Sequence, residues 1–170
     1  MKLKPTFITN SSSSNFIVAW PYKIKKIEDV LPFIPNYQKA QIVFYDSIEQ
    51  SGKKIKLSKK LIKEMVEKLK GGIIDFDHLN HEERKDAFLK RNNITDKEYR
   101  KNSTWQTLFW DENVRKKVER YKEKAVAFIK ANEGSYYYIY RYADEDGEFY
   151  SELEHGGTFN NLNHIRIVNH

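Results

Sequence analysis

The chain has 170 residues, 39% of them hydrophobic and 32% charged, with a net charge of +6 and no cysteine. That length suits one domain, residues 1–170, and the missing thiols exclude disulfides and thiolate metal sites, so a divalent metal cofactor would need His, Asp or Glu. Charge is uneven: residues 1–134 hold 28 Lys/Arg against 18 Asp/Glu, net +10, while residues 135–170 are net −4, a basic body that steers anionic partners.

Lys2 and Lys4 precede a serine run rather than an apolar core, which is not a secretory leader, and no stretch is long enough to span a bilayer. The expectation is a cytoplasmic protein without a membrane partner.

Phe7-Ile8 and Phe16 to Trp20 read as extended segments, since β-branched and aromatic residues dominate. Phe16, Val18 and Trp20 line one face and Ile17 and Ala19 the other, the pattern of a central strand that Pro21 stops. Residues 24–34 have a helical rhythm cut short by Pro32 and Pro35. Gln41 to Asp46 and Lys53 to Leu57 read as a hairpin joined through Ser51-Gly52.

Ser58 is placed to cap a helix over Lys59–Lys70, striped by Leu61, Ile62, Met65, Val66 and Leu69 and ended by Gly71-Gly72. Ile73 to Phe76 fits a short strand or a loop. Asn80 with Glu83, and Thr95 with Glu98, are capping signatures for a polar helix to about Asn92 and a shorter one, so residues 77–104 read as surface helices and loops. The longest helix is predicted over 111–132, where Val114, Val118, Tyr121, Ala125 and Phe128 recur on one face. Trp105, Phe109 and Trp110 read as its anchor, or as nucleic-acid contacts beside Arg100 and Lys101.

Ser135 to Ala143 is a tyrosine-rich strand, Asp146-Gly147 a tight turn, Glu148 to Leu153 a return strand, and His164 to Asn169 a final strand with Ile165 and Ile167 inward. The fold class is α+β: a mixed or antiparallel sheet that includes both terminal strands and packs against the long helix.

Three groups of residues carry candidate chemistry. Asn10, Ser11, Ser12, Ser13 and Ser14 can offer hydroxyls and successive backbone N–H groups to an anion, although the run lacks the glycine of phosphate loops. Glu154-His155-Gly156-Gly157 and His164 supply acid–base candidates, with Glu154 orienting a histidine, and Arg166 suits an anion. Asp144, Asp146 and His170 are weak metal-ligand candidates, because their spacing matches no ligand motif. Tyr136, Tyr138, Tyr140 and Tyr142 share a strand face that packs beneath the long helix or stacks bases.

Phe7-x-Thr9-Asn10-Ser11-Ser12-Ser13-Ser14-x-Phe16-Ile17-Val18 and the closing Glu154-His155-Gly156, His164-Ile165-Arg166 and His170 resemble the ends of a group of small phage and prophage proteins. The middle of the chain has no counterpart there. The resemblance implies a phage-associated small protein, either an enzyme or a host-interacting factor, and assigns no reaction.

Together these readings place Phe16–Trp20 beside Ile165–Val168 and so bring Asn10 to Ser14 near Glu154, His155, His164 and His170. The expected function is a phage-associated accessory protein whose polar pocket binds a phosphate-bearing ligand, a nucleotide or nucleic acid. The alternative is a non-enzymatic protein that inhibits or redirects a host protein or nucleic acid through a basic helical face at Lys116, Arg120 and Lys124.

Overall fold

A computed structural model describes residues 13–70, 73–74, 81–143, 148–155 and 157–169. Phe7-Ile8, Asn80 and the Asp146-Gly147 turn lie outside them. The strand read over Phe16–Trp20 begins earlier, as β1 (Ser13–Trp20), and it is the middle of the sheet. A long strand with apolar residues on both faces can only be satisfied between two covering layers, and that is where β1 sits.

Flanking β1 are β4 (Tyr136–Ala143) and β5 (His164–Asn169), both antiparallel to it, with Ile17 opposite Ile139 on one side and Ile165 on the other. The outer strands β2 (Lys53–Lys54) and β3 (Ile73–Ile74) are only two residues long, giving the order β2-β4-β1-β5-β3. The fold is therefore α+β, with both terminal strands in one antiparallel sheet.

One face of the sheet is covered by α2 (Lys59–Leu69) and α5 (Ser103–Ala131). Ile17, Ala19, Ile165 and Ile167 there meet Leu61, Met65 and Leu69 of α2 and Tyr121, Ala125, Phe128 and Ile129 of α5. Ser58 caps α2 by accepting from Leu61 N at 3.2 Å, as its position in the sequence predicts.

The opposite face carries Phe16, Val18 and Trp20 beneath a 3-10 turn (Ile27–Asp29), α1 (Tyr37–Gln50) and α6 (Glu148–His155). Two expectations fail here. Gln41 to Asp46 is helical, because Asn36 caps the segment and Ala40, Val43 and Ser47 supply a buried helical stripe. Glu148 to Leu153 is also helix rather than a return strand, packed against the sheet through Leu153.

The long helix starts at Ser103, eight residues before the predicted 111, with Asn102 as its N-cap. Its added turns build a third small core with α3 (His81–Asn92) and α4 (Asp96–Lys101), where Phe109 is buried against Phe88, Leu89 and Tyr99. Residues 77–104 are thus more than surface helices and loops. Thr95 and Glu98 form the expected capping box. Phe109 does anchor α5, whereas Trp110 is exposed.

Candidate functional site

Ser13 and Ser14, the last two residues of the serine run, are the first two of β1. Successive strand residues point to opposite faces, so Ser14 joins Phe16 and Val18 while Ser13 shares the other face with Ile17; the two are not one cradle. Both are buried, and Ser14 has no exposed surface.

In register, Ser14 lies between Tyr142 and Val168, and Phe16 between Tyr140 and Arg166. Arg166 rises from β5 with its guanidinium carbon 5.8 Å from the Phe16 ring centroid, the placement of a cation on an aromatic face. From there it turns back to Ser14, and its Nε and Nη2 each donate to Ser14 Oγ at 3.2 Å. His155, the last residue of α6, brings Nδ1 to 3.5 Å from Arg166 Nη2. Arginine can only donate, so this long contact requires Nδ1 to accept and places the imidazole proton on Nε2. Three of the candidate residues, from the two ends of the chain, are thereby brought together.

His164 occupies the same face two residues back along β5. Its ring lies 6.1 Å from Phe16 and 6.3 Å from Phe159, and its Nδ1 donates to the Leu162 carbonyl at 3.0 Å, since a carbonyl only accepts. It also lines a cleft of about 180 Å³ with Lys124 and Phe128 of α5. Asn10, Ser11, Ser12, Asp144, Asp146 and His170 lie outside the described residues, as does the side chain of Glu154. Among the described residues, no three His, Asp or Glu are grouped to hold a metal ion.

The tyrosine row is a packed ladder, not an open stacking surface. Tyr138, Tyr140 and Tyr142 are buried, with neighbouring rings 6.3 Å apart, and Phe159 stacks on Tyr140 at 4.9 Å. Their partners are on the α1 and α6 side; the long helix lies across the other face and meets Tyr137 instead. A buried hydroxyl needs a partner, and each has one: Tyr138 accepts from Ile24 N at 3.0 Å, Tyr140 shares a 2.6 Å bond with Ser47 Oγ, and Tyr142 donates to Asp46 Oδ2 at 3.2 Å.

These contacts set the electrostatics beside the Ser14–Arg166 pair. Burial holds the Asp46 carboxyl above its usual range, partly offset by the Tyr142 hydroxyl and reinforced by Glu49. Burial and the Asp46 charge push the Tyr142 phenol well up, so it remains a neutral donor. The cluster thus presents a guanidinium and an exposed imidazole, held in place by the buried Ser14 hydroxyl, a donor set that suits an anion.

The sequence reading missed a second concave region. A cavity of about 400 Å³ lies between α3 and α5, and Lys116 and Arg120 of the predicted basic face line it. Lys116 is held by Glu112 at 2.5 Å. The signal for this region was the Phe88-Leu89 pair, hidden inside a polar segment.

No helix among the described residues is long and apolar enough to cross a membrane. Comparison with protein families, curated proteins and solved structures yields no match.

Proposed function

We propose that this is a phage-associated accessory protein that binds a phosphate-bearing ligand, a nucleotide or nucleic acid, at the Ser14–His155–Arg166 cluster. The observation that carries this reading is the pair of 3.2 Å contacts from Arg166 to Ser14 Oγ, with His155 beside the same guanidinium. A guanidinium carries a permanent charge and N–H donors that suit phosphate oxygens, and the buried Ser14 hydroxyl and the Phe16 ring hold it in one orientation. The Nε2–H of exposed His155 adds a donor at the rim. The basic body of the chain supplies the long-range attraction. The resemblance of the two ends to phage and prophage proteins supports the biological setting, and no reaction is assigned.

Thermal shift across pyrophosphate, nucleoside di- and triphosphates and short oligonucleotides at low salt tests the reading. A ligand at one hundred times its Kd adds about 2.7 kcal/mol to stability, so the binding member of the panel raises Tm with concentration. Arg166→Met, compared with its own ligand-free Tm, loses that rise, while joint charge removal at Lys116, Arg120 and Lys124 keeps it. The reverse pattern, with steep salt dependence, assigns binding to the basic helical face and a host-interaction role. Silence across the whole panel removes the proposal.

A further inference from the structure

The cavity between α3 and α5 is distinct from the sheet-end cluster in place and chemistry. The two helices meet where the Phe88 and Phe109 rings lie 5.3 Å apart and Arg91 reaches Glu112 at 2.5 Å. Nearer the start of α3, Arg84 and Ala87 line this cavity of about 400 Å³ together with Lys116, Glu119 and Arg120. That volume is in the range of small-molecule sites, which combine an apolar lining with a few directed polar groups.

Phe88 and Phe109 contribute an apolar floor, each with less than a twentieth of its surface exposed. Around it four carboxylates balance four cations, so the lining is close to neutral. Arg91 and Lys116 both bond to Glu112. Arg84 differs: its Nε is buried and has no acceptor among the described residues. An unmet buried donor on a charged group is costly, and an acceptor brought by a ligand removes that cost.

We propose that this cavity binds a small monocarboxylate with an aromatic or aliphatic body, the body seated on Phe88 and Phe109 and the carboxylate on Arg84. A carboxylate matches the side-on Nε/Nη edge of a guanidinium. The neutral lining favours a monoanion, because the surrounding glutamates oppose a phosphate dianion more strongly.

The test is a titration of the ¹⁵N-labelled protein with 2-naphthoate and with 2-naphthamide, its neutral counterpart, read on the arginine Nε–H signals. The Arg84 signal, identified by its loss in Arg84→Gln, shifts and saturates with 2-naphthoate. The amide binds at least about tenfold more weakly, the size expected when a hydrogen bond to a charged group is lost. Arg84→Gln removes that preference. Ala87→Trp, at an exposed lining position, fills the cavity and abolishes binding, with the backbone spectrum confirming the fold. Equal affinity for acid and amide, no saturable shift in the wild type, or a folded Ala87→Trp that binds like the wild type would each overturn the proposal.

Discussion

Replacing Ser14 by Ala deletes the hydroxyl on which the closing strand's arginine rests. The two donors it accepts share the guanidinium charge and lie at 3.2 Å, and a hydrogen bond to a charged group contributes about 1.5–3 kcal/mol. Arg166 is half-buried, so water recovers part of this, and the expected loss is about 1.5 kcal/mol. Arg166→Met keeps an unbranched stem over Phe16, loses the same bonds, and also forfeits about 0.5–1 kcal/mol of cation–ring attraction. The double variant should then cost little more than Arg166→Met alone, leaving a coupling of about 1.5 kcal/mol. Urea unfolding followed by circular dichroism and tryptophan fluorescence measures it; with an m-value of about 2 kcal/mol/M, Ser14→Ala moves the midpoint down by about 0.7 M. Additivity of the two single variants within about 0.5 kcal/mol would refute the coupling, and with it the claim that Ser14 positions Arg166.

Two further expectations concern the same sheet. Burial raises the folded-state pKa of Asp46 above its ordinary 3.8, so the native state holds that proton more tightly and stability falls as pH climbs from 3.8 through the raised value. Asp46→Asn should therefore stabilise the protein at pH 7, with the advantage vanishing below the unfolded pKa; an Asn variant less stable at pH 7 than at pH 3, relative to wild type, would reverse the sign. Gln50 acts as a one-residue strand on the edge of β4, its side-chain amide donating to the Ile139 carbonyl and accepting from Ile139 N at 2.8 Å. Gln50→Ala exposes that edge, and sedimentation velocity should show more concentration-dependent association than wild type; identical profiles at matched concentrations would count against an edge-protecting role.

The centre of the fold was legible because β1 is apolar on both faces, and because Ser58 and Thr95 with Glu98 sit at the helix starts they cap. Gln41 to Asp46 misled because Ile42, Val43, Phe44 and Tyr45 favour a strand locally, whereas Ala40, Val43 and Ser47 bury at helical spacing. Phe149, Tyr150 and Leu153 are likewise spaced for a helix turn, which the preceding Asp146-Gly147 obscured. The early start of α5 was invisible without α3 and α4, since Phe109 gains its partners only when Phe88 and Tyr99 fold against it. At the site, pairing of the terminal strands was readable from their apolar pattern, and it brought Ser14, Arg166 and His155 together. The alternation that sends Ser13 to the other face follows from where β1 begins, which the serine run did not reveal.

The most direct measurement of the central claim is a titration of the ¹⁵N-labelled protein with the ligand found in the nucleotide panel, read at the His155 imidazole and the Arg166 Nε–H. Both signals are expected to shift together and saturate at one Kd, and Ser14→Ala to weaken that Kd by misplacing the guanidinium. Shifts confined to Lys116, Arg120 and Lys124, with His155 and Arg166 unmoved at saturation, would contradict it.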